Sequence, residues 1–137
     1  MPVRTASREL LAPRADVWGF ISEPYHLPDW WPDITGVEPD RRGFAPGARW
    51  KVIVASRNIF VGVRSRESML IVRAVEPYER FAWHVLSPKF DAEVSIASAG
   101  PDRTRATVRT SRGSPERALH RLFDLIQTAA GLDAPPS

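Results

Sequence analysis

Hydrophobic positions along this 137-residue chain change period twice, and the two changes divide it into three parts. Val3 to Leu11 alternates loosely and predicts a first strand. Pro13 suits the first turn of a helix, where its missing N–H is not needed. Val17, Trp18, Phe20 and Ile21 then recur at helical spacing, so one face of that helix is buried. Pro24 and Pro28 break the next segment into a short helix or turns, and Pro32 keeps Trp31 out of a helix interior. From there the period returns to two.

Ile34 to Glu38 reads as a short strand, followed by turn signals at Asp40–Gly43 and Pro46-Gly47. In Arg49 to Ser56, Trp50, Val52 and Val54 share one face and Arg49 and Lys51 the other. Arg57 to Gly62 is expected to be a loop or hairpin end. Arg64 to Glu76 predicts a long strand whose two faces are both largely apolar, so its inward face is not defined by the pattern. After a turn at Glu76–Glu79, Phe81, Trp83 and Val85 share a face, which turns His84 to the opposite side. Phe90, Ala92, Val94 and Ile96 form the next inward row, with Asp91 and Glu93 outward. Ala99–Asp102 turns into a last strand, Thr104 to Arg112. The period then returns to 3.6 over 114–130. Ser114 caps this helix, Pro115 opens it, and Leu119, Leu122, Phe123 and Ile126 form its apolar stripe. Gly131 reads as its stop.

The elements predict an α+β protein: one domain over 1–131, with a disordered tail at 132–137. A single domain usually runs to about 100–200 residues. Hydrophobic residues make up 43% of the chain and charged ones 26%, as in ordinary globular proteins. There is no signal-peptide pattern at the start and no run long enough to span a membrane, so a cytoplasmic location without membrane insertion is expected. The absence of cysteine excludes disulfides, thiolate catalysis and cysteine-ligated metal. All but two of the 19 basic residues are arginine, which with 13 prolines points to a GC-rich bacterial genome. These arginines are interleaved with 16 acids and the net charge is only +3, so no nucleic-acid partner is expected.

Four segments carry a resemblance: Ala12–Trp18, the Trp30-Trp31-Pro32 closing the second helix, Pro46–Trp50 opening a strand, and Val75–Trp83 across a turn. Together they resemble the START-related (SRPBCC-type) superfamily. It includes polyketide cyclases and dehydrases, lipid-transfer proteins and pollen-allergen-like carriers. The similarity runs over about residues 3 to 130. It implies a helix-grip fold: a curved seven-stranded antiparallel sheet wrapped around the C-terminal helix, with two short helices after the first strand. It also implies a hydrophobic cavity between sheet and helix.

Under that fold the expected ligand-contacting residues are Trp30, Trp31, Trp50, Val52, Phe81, Trp83, Val94, Leu119, Leu122, Phe123 and Ile126. The same large apolar side chains equally suit a closed core. His26, Arg73 and His120 are candidate polar residues of the cavity. Arg73 is the odd one, a charge inside an apolar strand that must face solvent or hold an anion. The three histidines have no metal-ligand spacing, so neither metal nor cofactor is expected. The implied function is binding of a small hydrophobic molecule of aromatic, polyketide-like or lipid-like character. A cyclase or dehydratase acting in the same cavity is one alternative. A protein-interaction module is another, with Met69 and Ile71 on the second face of strand 64–76 marking a homodimer contact.

Overall fold

The computed structural model describes residues 3–58, 60 and 62–133. Strand β1 (Arg4–Leu10) leads into helix α1 (Arg14–Ile21), a 3-10 turn (Pro24–His26) and α2 (Leu27–Trp30). Six strands follow: β2 (Ile34–Glu38), β3 (Arg49–Asn58), β4 (Gly62–Glu76), β5 (Arg80–Leu86), β6 (Lys89–Gly100) and β7 (Arg103–Thr110). Helix α3 (Pro115–Asp133) closes the chain. The strands form one antiparallel sheet in the order β1-β7-β6-β5-β4-β3-β2. Helix α3 packs on β1, β7 and α2, which makes this the helix-grip arrangement.

Three boundaries differ from the sequence pattern. β3 and β4 run further toward each other than Ser56 and Arg64, since pairing continues to Asn58 and Gly62. β6 extends to Gly100. Helix α3 runs through Gly131 to Asp133, so Gly131 lies inside the helix and is not its stop. Its start follows the expected logic: the backbone N–H of Arg117 donates to Ser114 Oγ at 3.2 Å, and Pro115 takes the first helical position. Of the expected tail, Leu132 and Asp133 lie in α3, and 134–137 lie outside the described residues.

Strand register settles which side chains face inward. Trp50 pairs with Leu70, Val72 with Trp83, Phe81 with Val94, and Val94 with Val108, and residues directly opposite share a face. All are buried, together with Val52, Val85, Phe90 and Ile96. The inward face of the long strand is therefore the one bearing Leu70 and Val72. Met69 and Ile71 point outward, half-buried, paired with Lys51 and Arg49. From α3, Ala118, Leu119, Leu122 and Ile126 complete the core, with Phe123 partly buried beside them.

The loop between β2 and β3 is organised by one carboxylate. Asp40 accepts the backbone N–H of Arg42 at 2.9 Å and of Arg49 at 3.0 Å. Gly43 and Gly47 take left-handed backbone, φ 58° and 88°, which other residues adopt only with strain. Trp50 Nε1–H donates to the Gly43 carbonyl at 2.6 Å, fixing the loop from below. The result delivers Phe44 onto the core: its ring lies 4.3 Å from Phe81 and 6.1 Å from Trp50.

Leu122→Ala removes a fully buried side chain at the centre of the α3 contact. It should cost about 2–4 kcal/mol in urea unfolding, and a change below 1 kcal/mol would mean that α3 is not docked as described. The Arg49 N–H foremost, with those of Arg42 and Gly43, holds the Asp40 carboxyl below its ordinary value of 3.8. A carboxyl lowered on folding adds stability above its unfolded value, and that contribution is lost as the pH falls through the folded one. Asp40→Asn should accordingly flatten the loss of stability on acidification below pH 3.8. Unchanged pH dependence would remove Asp40 from this role.

Candidate functional site

The inner side of the sheet carries a continuous chain of aromatic rings. Phe81 stands 4.8 Å from Trp83, and Trp83 is 5.0 Å from Trp31 and 6.3 Å from Trp30, edge to face in both pairs. Trp31 lies parallel to Phe90 at 6.4 Å. At the other end, Phe44 joins Phe81 and Trp50 to Trp18, and Trp18 meets Tyr78 at 6.2 Å. Three elements converge here. Strands β3 and β5 present Trp50, Phe81 and Trp83 by alternation, while α2 and the residue after it present the Trp30–Trp31 pair. Trp30, Trp31, Trp50, Phe81 and Trp83 are each at most 2% exposed. Each indole removes roughly 150–250 Å² from water.

Most of the expected contact residues thus come together. Val52, Val94, Leu119, Leu122 and Ile126 are buried in the same core as the cluster, the last three from α3. Phe123 sits at the rim, half-covered, with the Arg8 guanidinium 4.1 Å above its ring. Phe44 and Phe90 join the cluster although sequence reasoning did not single them out as contacts. Phe44 lies in a turn where periodicity says nothing about facing. Phe90 was legible as an inward residue but not as the partner of Trp31.

Two donors in the cluster lack a partner. The Nε1–H groups of Trp30 and Trp83 are buried and meet no acceptor among the described residues. Trp50, by contrast, is satisfied by Gly43.

The three expected polar residues stand elsewhere. His26 stacks on Phe20 at 4.2 Å and its Nδ1 is 2.7 Å from the Phe20 carbonyl, so it joins the turn before α2 to α1. His120 is exposed on α3, with Nε2 3.4 Å from Asp124 and Nδ1 3.5 Å from Arg8. Arg73 is exposed on the outer face. A bulge between Val72 and Ala74 inserts it as an extra residue, and this lets the charge leave a strand that is otherwise buried inward. The structure brings none of the three to the aromatic interior.

Three cavities deserve description. The largest, about 430 Å³, is an open groove on the outer face lined by Val3, Arg73, Ala82, Asp91, Glu93 and Arg109 among others. A neighbouring groove of about 390 Å³ continues it past Thr5, Ser95 and Thr107. The acids of this face are already engaged: Glu93 accepts from Arg80 at 3.2 Å, and Asp91 lies 2.8 Å from His84 Nδ1. The third, about 210 Å³, lies on the inner side toward the turn end of the β3–β4 hairpin, between Val54, Ser56, Arg66, Pro88 and Arg112.

No protein-family model matches the chain, and no curated protein matches it in sequence. Solved structures match its fold. A START superfamily protein from Mycobacterium smegmatis superposes with a TM-score of 0.69 at 16% identity, over 93% of this chain and 98% of that one. Norcoclaurine synthase from Thalictrum flavum gives 0.65 at 15% identity, over 92% and 86%. Ara h 8.0201 gives 0.58 at 13% identity, over 96% and all of that chain. The chain therefore has the START-related helix-grip fold.

In the His84–Asp91 pair of the outer face the His84 side chain is 9% exposed and the Asp91 side chain 71%. Asp91→Ala leaves a buried ring nitrogen without its partner and should cost about 1–2 kcal/mol in urea unfolding, with Asp91→Asn milder because its amide oxygen still accepts. Equal stability of both variants with the parent protein would show the pair to be incidental.

Proposed function

We propose that this domain binds one small, largely apolar molecule on the inner side of the sheet, against Trp30, Trp31, Trp50, Phe81 and Trp83. The observation that carries the reading is the pair of unpartnered indole N–H groups on Trp30 and Trp83, which stand on perpendicular rings 6.3 Å apart. Buried donors in native interiors are nearly always paired, and leaving one unpaired costs about 1–3 kcal/mol. A carbonyl, ether or hydroxyl oxygen brought in by a ligand would accept from one or both. Val52, Val94, Leu119, Leu122, Phe123 and Ile126 supply apolar surroundings, and burial there contributes about 25 cal/mol per Å² before the costs of binding.

The aromatic cluster is tightly interlocked, so entry requires its rings to part. That restricts the ligand to a small, flat molecule, below the roughly 300–1,000 Å³ of ordinary ligand pockets. Binding is favoured over acid–base catalysis by the lining. Among the described residues, the buried polar or charged side chains are His84, Thr104 and Thr110. Of these His84 alone titrates, and it sits on the outer face beside Asp91. Norcoclaurine synthase shares the fold at 15% identity, a likeness that speaks for shape and not for chemistry.

The test combines native mass spectrometry of protein purified from its own cells with tryptophan fluorescence titration against small aromatic and isoprenoid probes. A defined adduct and a saturable emission change are expected. Trp83→Phe keeps a ring but removes the donor, and should weaken binding roughly tenfold while the fold, checked by circular dichroism, is retained. A bare mass under all conditions together with flat titrations would overturn the proposal.

A further inference from the structure

The inner face changes character along the β3–β4 hairpin. Trp50, Val52 and Val54 on β3 and Val72 and Leu70 on β4 are inward and buried. Continuing outward along the same register, Val52 pairs with Ser68, Val54 with Arg66 and Ser56 with Arg64. A period of two places Arg64 and Arg66 on the face that bears Trp50 and Leu70. Glu67, the acid of this stretch, pairs with Ile53 on the other face. Residues 62–67 are exposed on both faces, so these two cations stand in solvent where the buried apolar row of the inner face ends.

Two further elements meet these side chains. The β5–β6 turn contributes Pro88, and the connection from β7 to α3 contributes Arg112. Together with Val54, Ser56 and Arg66 they enclose the cavity of about 210 Å³. Its deep wall is Val54, only 3% exposed. Two residues beyond Pro88, Phe90 lies parallel to Trp31, so the cavity adjoins the aromatic cluster. Arg66 donates from Nη1 to the neutral Ser87 Oγ at 3.3 Å. Among the described residues no carboxylate lies within 4.0 Å of the Arg66 or the Arg112 guanidinium. One acid, Asp33, stands beside this end: its Oδ2 approaches Gly113 so closely that a Cβ there would stand 3.1 Å away. Arg64, Arg66 and Arg112 outnumber it.

We infer that this cavity is the head-group subsite of the proposed ligand, and that the ligand is a hydrophobic carboxylic acid. Its carboxylate lies between Arg66 and Arg112, and its apolar body points past Val54 toward Phe90 and Trp31. Guanidinium forks match a carboxylate with two parallel hydrogen bonds, which adds orientation to charge. The inference rests on the binding function proposed above, since it assigns one end of the same molecule.

Isothermal titration calorimetry of the full chain with 2-naphthoate and its uncharged counterpart 2-naphthamide, at pH 7, separates the two ideas. The acid should bind at least tenfold more tightly than the amide, and 0.5 M NaCl should shrink that gap. In the double variant Arg66→Gln, Arg112→Gln the gap should close to within about twofold, while Arg105→Gln, on the outer face of β7, should keep it. Both arginines are exposed, and circular dichroism verifies that the variants fold. Equal affinity of acid and amide for the parent chain, or a gap that survives the double variant, overturns the head-group assignment and leaves the binding proposal standing. Absence of binding by both compounds likewise overturns the head-group assignment, while the binding proposal falls only if the mass-spectrometric and fluorescence tests above also fail.

Discussion

The structure depends on filling the space between a strongly curved sheet and a single helix. Seven strands bend around α3, and α3 packs chiefly on β1, β7 and α2. The inner faces of β3, β4 and β5 are left to other side chains for most of their cover. Tryptophan and phenylalanine meet that need, since few other side chains span a comparable gap. Trp50, Phe81 and Trp83 rise from the sheet, Trp30 and Trp31 descend from α2, and Phe44 arrives from a loop. Edge-to-face contacts add about 0.5–1.5 kcal/mol per pair beyond area burial, so the cluster holds the two halves of the grip in one arrangement.

This way of closing the interior carries a polar cost. Indoles bring N–H groups into places with no backbone acceptor to spare. Trp50 solves the problem by reaching the Gly43 carbonyl, and that bond also positions the loop carrying Phe44. Trp30 and Trp83 find no acceptor among the described residues. Packing and recognition therefore draw on the same residues. A protein that used Phe or Leu at these positions would close the same gap without orphaned donors.

Much of the fold was legible because most of its elements keep a clean period. The alternation in Arg49–Val54, Phe81–Val85 and Phe90–Ile96 assigned inward residues that the register bears out, and Ser114-Pro115 marked the start of α3. The long strand was not legible. Met69, Leu70, Ile71 and Val72 are all apolar, and the bulge at Arg73 erases the parity that would have arbitrated between the two faces. The polar candidates failed for a related reason. His26, Arg73 and His120 lie in a turn, at a bulge and on a helix flank, where facing is decided by tertiary contacts that no short window contains. The aromatic residues at the centre were readable as inward. That they touch one another, and that two of their donors are unmet, is information held only by the packed chain.

The bulge has a consequence for what this strand tolerates. Before it, even-numbered residues face inward: Leu70 and Val72. After it, Val75 faces inward opposite Phe81, while Glu76 reaches the outer face and binds Arg80 at 3.3 Å. Were Arg73 to pair regularly with Ala82 instead of bulging, the parity would invert, sending Val75 into solvent and Glu76 inward. Position 73 thus absorbs one surplus residue: removing it would leave Val72, Val75 and Glu76 on the faces they already occupy. The strand is therefore open to a one-residue deletion at this point, whereas the same deletion on either side of the bulge would have to be made good by losing it.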